Sequence, residues 1–138
     1  MKPTRIITRL LVNDPRRCFD FYVNNLGYEP LWDDGGNVYL SCRLPGENVP
    51  AIAFFAKSHM SEYDGYADIG QQIRSDFAVI TLGVDDLDGT YAELKAKGVE
   101  FMGAPRDIPE WTMRCVMLRD PEGNLIELSG PLPDGDGG

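Results

Sequence analysis

The sequence predicts an α+β domain built from two tandem β-α-β-β-β modules, and three observations carry that expectation. A strand-like run followed by Asp and an amphipathic helix occurs twice, as Arg5 to Val12 with Asp14, and as Phe77 to Val84 with Asp85-Asp86. Val12-Asn13-Asp14 matches Val84-Asp85-Asp86 at a separation of 72 residues, and Leu26-Gly27-Tyr28 matches Lys97-Gly98-Val99 at 71. A period of that size marks a repeated supersecondary unit. Three further strand-like pieces follow each helix, so both halves keep one order of elements. A helix on one face of each half-sheet would leave the other two faces to meet across a cleft.

The elements follow from local chemistry. RIITRLLV is a β-branched and apolar run short enough for a buried strand. Asp14 can cap the next helix with Pro15 at its first position; Phe19, Tyr22, Val23 and Leu26 recur at helical spacing, and Gly27 supplies a left-handed stop. Strands are expected at Tyr28 to Trp32, at Asn37 to Arg43 after the Asp33-Asp34-Gly35-Gly36 turn, and at Ala51 to Lys57 after the Pro45-Gly46 loop. Residues 58 to 76, which hold His59, Tyr63, Gly65, Tyr66 and Gly70, show no clean period and read as a linker or lid. In the second half, Leu87, Tyr91 and Leu94 mark a helical face that Gly98 ends, and strands are expected at Val99 to Met102, Thr112 to Leu118 and Leu125 to Ser129. The last two flank a tight turn at Asp120-Pro121-Glu122-Gly123-Asn124. The reading is one domain over 1–130: module one at 4–57, the linker at 58–76, module two at 77–129, then a disordered tail at 131–138.

Composition bounds the function. The 138 residues include 13 Lys and Arg against 22 Asp and Glu, a net charge of −9. Nucleic acid or an anionic membrane surface would demand a basic face, so neither is expected as a partner. Cys18, Cys42 and Cys115 are odd in number and lack CxxC spacing, which fits reduced structural thiols. The start, MKPTRIITRLL, has no long apolar core and no small-residue cleavage site, so a soluble, cytoplasmic protein is expected. GxGxxG, GxxxxGK, HExxH and GxSxG are all absent from the sequence.

The strand, Asp, amphipathic helix with Phe19-x-x-Tyr22 and Leu26-Gly27, and the closing DPEGNLIEL together resemble the vicinal oxygen chelate superfamily of glyoxalases, bleomycin-resistance proteins and extradiol dioxygenases. The resemblance spans about Ile6 to Leu128. It implies a curved mixed sheet around a central cleft, a homodimer, and in the family's enzymes a divalent metal held by His, Gln or Glu on the first strand and Glu on the last strand of each module. By position those four ligands fall at Ile7, Ala53, Val79 and Glu127, and only Glu127 offers an oxygen. A catalytic cation needs about three or four protein ligands. The sequence therefore predicts no metal at that place and no cofactor.

Strand alternation assigns to the cleft Ile7, Arg9 and Leu11, then Ala51, Ala53 and Phe55, then Val79, Thr81 and Glu127. Arg9 and Glu127 either pair with each other or read the polar ends of a bound molecule. Trp111 follows the Pro105 to Pro109 loop, from where an indole can cover the cleft mouth. Trp32 and Tyr39 can join the site, their facing depending on whether the Gly-rich turn region contains a bulge. The expected ligand-binding set is Arg9, Trp32, Tyr39, Phe55, Trp111 and Glu127. His59 reads as a lone solvated histidine of the linker. Two functions fit: a metal-free protein that sequesters a small aromatic or cationic molecule, or a lyase, isomerase or dioxygenase that binds metal unconventionally or uses Glu127 as a general base.

Overall fold

The computed structural model describes residues 1–63, 65, 76 and 78–133. The chain divides into two compact units, Met1–Arg74 and Ser75–Gly138. Each is a four-stranded mixed sheet with one ten-residue α-helix, which is the two-module α+β plan that the repeat predicts.

In the first unit β1 (Arg9–Val12) leads to α1 (Pro15–Asn24), and β2 (Glu29–Asp33), β3 (Tyr39–Arg43) and β4 (Ile52–Ala56) follow. The sheet order is β1-β4-β3-β2, with β1 parallel to β4 and the other pairs antiparallel. Asp14 caps α1 by accepting from the Arg17 N–H, at 3.2 Å, and Pro15 occupies the first turn where no intrahelical N–H is required. Gly27 takes φ 79°, the left-handed stop the sequence predicts. The helix buries Cys18, Phe19 and Tyr22 against the sheet, where the Tyr22 ring lies 5.0 Å from that of Phe54 and 5.5 Å from that of Tyr28. Leu40, Cys42, Ile52 and Val12 complete this core. Burial pushes the Cys42 thiol and the Tyr28 phenol up to about 12, so both stay neutral as packing groups.

Strand β1 is shorter than expected. Arg5 to Thr8 lie outside it, and only the Thr8 carbonyl joins the sheet, accepting from the Ala53 N–H at 2.9 Å. The start of the expected linker is ordered as a 3-10 helix, Lys57–Glu62. Tyr66 and Gly70 lie outside the described residues.

In the second unit β5 (Ile80–Gly83) leads to α2 (Leu87–Ala96), then β6 (Arg106–Ile108), β7 (Met113–Arg119) and β8 (Leu125–Pro131). The order β5-β8-β7-β6, with β5 parallel to β8, repeats the first sheet. Asp86 caps α2 through the Gly89 N–H at 3.0 Å. The expected strand at Val99 to Met102 does not form: that segment contributes one isolated bridge, Phe101 to Leu118, and the edge strand is Arg106–Ile108 instead. The apolar residues 99 and 101 are used for packing, with Phe101 4.7 Å from Tyr91 of α2. Strand β8 runs two residues past Ser129, to Pro131, which pairs with Met113. Residues 134–138 of the expected tail lie outside the described residues. Among the described residues no helix is long and apolar enough to cross a membrane.

Candidate functional site

The first sheet has one face under α1 and one face away from it. Strand register fixes which residues share the second face: Arg9 is partnered by Ala53, Ala53 by Ser41 and Ser41 by Trp32, while Leu11 is partnered by Phe55 and Phe55 by Tyr39. Directly partnered residues point to the same side of a sheet. Arg9, Trp32, Tyr39 and Phe55, four of the six residues expected to bind ligand, therefore stand on one face. Trp32 reaches it through a β-bulge between Pro30 and Trp32, where Leu31 is the extra residue. The bulge is at the sheet edge, next to a proline that has no N–H to donate.

Two adjacent rows result. In one, Ala53 and Ser41 are buried at the centre, and Arg9 and Trp32 are exposed at the ends. In the other, Phe55 and Tyr39 stand with ring centroids 6.0 Å apart. The Arg9 guanidinium carbon lies over both rings, 5.1 Å from the Tyr39 centroid and 5.4 Å from that of Phe55. These are cation–π distances. Among the described residues Arg9 has no ion pair. Arg43, on β3 of the same sheet, is instead engaged by Glu29 at 3.1 Å, Asn48 at 2.9 Å and the Glu47 carbonyl at 3.1 Å.

His59 and Tyr63 extend the aromatic group. The 3-10 helix starts directly after β4, and this carries their rings to 6.2 Å and 6.4 Å from Phe55. His59 is half-exposed, with Nδ1 3.8 Å from a Glu62 carboxylate oxygen, so it packs edge-on against a ring rather than standing free in solvent. Sequence spacing does not announce this cluster: Phe55 and Tyr63 lie outside the 3-10 helix, whose three residues per turn do not stack positions four apart.

In the second unit, Glu127 is partnered by Thr81 and Met117 and so stands on the face away from α2 with Cys115 and Ser129. Glu127 is half-buried. Burial, helped by the Glu127 carboxylate nearby, raises the Cys115 thiol above its ordinary value. That thiol is no activated nucleophile. Trp111 lies in a short 3-10 helix, Pro109–Trp111, and is 66% exposed. A depression of about 290 Å³ between the start of α2 and Leu132 is lined by Asp85, Asp86, Asp88 and Arg114. Its cation is already matched, since Arg114 contacts Asp88 at 2.6 Å and Asp107 at 2.8 Å.

A family model, the Glyoxalase/Bleomycin resistance protein/Dioxygenase superfamily, matches residues 6–128. The chain belongs to this superfamily. It is 33% identical over 122 residues to the uncharacterized protein YraH of Bacillus subtilis (strain 168), covering 87% of this chain and 92% of YraH. A glyoxalase/bleomycin resistance protein/dioxygenase from Nocardioides superposes with a TM-score of 0.75 at 25% identity, over 100% of this chain and 89% of that one. TnmS3, an antibiotic binding protein from Streptomyces sp. CB03234, gives 0.65 at 25%, over 96% and 99%. A lactoylglutathione lyase from Agrobacterium tumefaciens gives 0.69 at 19%, over 94% and 96%, a likeness of fold alone.

The divalent ion used by enzymes of this superfamily does not fit the donor set. Ile7, Ala53 and Val79 present hydrocarbon at three of the four positions, and Ala53 is fully buried. Among the described residues no group of three or more His, Cys, Asp or Glu could hold a metal.

Proposed function

We propose that the protein is a metal-free binding protein that sequesters a small aromatic molecule on the sheet face formed by Arg9, Trp32, Tyr39 and Phe55. One observation carries this reading: an exposed cation lies over a pair of rings and an exposed indole stands on the same face, an arrangement that offers stacking area and a polar anchor together. Of the two ligand characters the sequence suggests, aromatic and cationic, the rings support the first, and Arg9 opposes the second. The antibiotic-binding role of TnmS3 supports holding rather than turnover. Pairing of two copies is part of the proposal and is checked by light scattering.

The enzyme reading is favoured by one observation, that Glu127 is a half-buried carboxylate on the sheet face away from α2 with Thr81 beside it. Elemental analysis of protein purified without a metal-binding tag separates the two. The binding reading expects well under one equivalent of any divalent metal and no thermal stabilisation by Mn²⁺, Fe²⁺, Ni²⁺ or Zn²⁺. About one equivalent, removed by Glu127→Gln, would overturn it.

A further inference from the structure

We propose that the molecule bound on the first unit's sheet face away from α1 is a planar aromatic anion, a carboxylate or phenolate, with Arg9 as its charge partner. This rests on the binding reading above and goes beyond it by assigning the ligand's charge and the residue that selects it.

In a chain with 22 acidic residues, Arg16, Arg43, Arg114 and Arg119 each contact a carboxylate at 2.6 to 3.1 Å. Arg5, Arg9, Arg17 and Arg106 make no ion pair among the described residues, and Arg9 is set apart from the other three by its ring contacts. Its guanidinium is held by two rings, over Tyr39 and Phe55, and among the described residues it donates no hydrogen bond to a carboxylate. Rings engage the π face of a guanidinium, whereas its N–H donors lie in its plane. The Tyr39 and Phe55 rings stand at 68° to each other, so the planar group can lie flat on only one of them; its edge donors are available because it makes no hydrogen bond among the described residues, and their fork matches a carboxylate. The strands and the two rings restrict the side chain before any ligand arrives, which lowers the ordering cost of binding.

The rest of the face states the ligand's shape. Trp32, 58% exposed, stands at the opposite end of Arg9's row, with the small residues Ala53 and Ser41 between them. A planar molecule with its charge at one end would meet Arg9 with the charge and Trp32 or the rings with its body. A cation would be repelled by the same guanidinium. The chain's net charge of −9 opposes every anion at long range, so selection must come from this short-range contact, and added salt screens both effects.

The test uses the full chain and three probes of one shape: 2-naphthoate, 2-naphthamide and 2-naphthylmethylammonium. Each is titrated by calorimetry, and amide NMR shifts locate the site. Naphthoate is expected to bind about tenfold more tightly than the amide, with the ammonium compound weakest, as a charge-assisted contact at an accessible site provides. The shifts should fall in β1, β3 and β4. Arg9→Gln should bring naphthoate down to the affinity of the amide while leaving the amide within about twofold. Arg9→Lys should keep a reduced preference, because it retains charge without the planar fork. Equal affinity of naphthoate and naphthamide for the parent overturns the charge assignment and leaves the binding reading intact. A tenfold preference that survives Arg9→Gln overturns the role of Arg9. Absence of heat and of shifts with all three probes overturns both this inference and the binding reading.

Discussion

Asp14 and Asp86 cap their helices in the same way, and Gly27 and Gly98 end them at φ 79° and 88°, yet the two sheets are finished differently. The helix of the first unit buries the aromatic residues Phe19 and Tyr22, whereas that of the second buries Leu87 and Leu94. The sheet faces away from the helices diverge further. One carries Arg9, Trp32, Tyr39 and Phe55, and the other carries Glu127, Thr81, Cys115 and Met117. The repeat thus retains what shapes the backbone, a capping carboxylate and a left-handed glycine, while the positions between them are free to diverge. An aromatic, cationic face and a sulfur-rich, acidic one are two uses of one scaffold.

The core contrast is broken most directly by truncation. Tyr22→Ala removes a fully buried ring in contact with Phe54 and Tyr28 and should cost about 4 kcal/mol, against about 2.5 kcal/mol for Leu94→Ala in α2. Urea unfolding of the two variants measures this, and equal costs would erase the distinction between the cores.

The second unit has one polar feature of comparable weight. Asp120 is buried and accepts from the Glu122 and Asn124 N–H groups, both at 2.9 Å, and from Asn124 Nδ2 at 2.8 Å. Asp120→Ala leaves those donors without their acceptor and should cost about 2 kcal/mol, read by the same unfolding experiment.

Acid sharpens the comparison, because among the described residues three of the four carboxylates held below their ordinary values belong to the first unit. The Arg16 guanidinium holds Asp33 at about 2, the Asn37 side-chain amide lowers Asp14, and the Tyr39 N–H lowers Asp34; in the second unit the Arg119 guanidinium lowers Asp76. A carboxyl whose folded value lies below its unfolded one stabilises the fold above the unfolded value, and this contribution is lost as pH falls through the folded one. The melting temperature should therefore drop between pH of about 4 and about 2. Asp33→Asn should flatten part of that fall, and an unchanged profile would show that the Arg16 contact is not felt. The smallest effect is expected at Trp111. Trp111→Ala removes an exposed indole and should change stability by less than about 0.5 kcal/mol, as a melting curve would show.

Much of this architecture is legible in the sequence because it depends on local signals. Asp14-Pro15, Asp85-Asp86, Gly27 and Gly98 act through neighbouring backbone, so they mark both helices. The facing of Arg9, Tyr39 and Phe55 follows from period-two alternation. Three features were not legible in this way. Val99 to Met102 carries strand-forming residues, but Phe101 packs against Tyr91 and pairs only at Leu118, a tertiary outcome that overrides local preference. The facing of Trp32 depends on a one-residue bulge that composition does not reveal. The contact of His59 with Phe55 depends on a 3-10 turn whose three-residue period leaves no apolar stripe in the sequence.

The two sheets also differ in when they can form. Every strand of the first sheet lies within the first 56 residues, and its parallel pair closes as soon as β4 can meet β1. Synthesis proceeds at about 5–20 residues per second, so at the slower rates translation of the second module leaves several seconds for the first to assemble. The aromatic face would then exist on a nascent chain before β8 has been made. A growing polypeptide would carry that exposed surface past every neighbour at the ribosome exit, which makes early encounter with its ligand, or with a chaperone, a consequence of the order in which the strands are encoded.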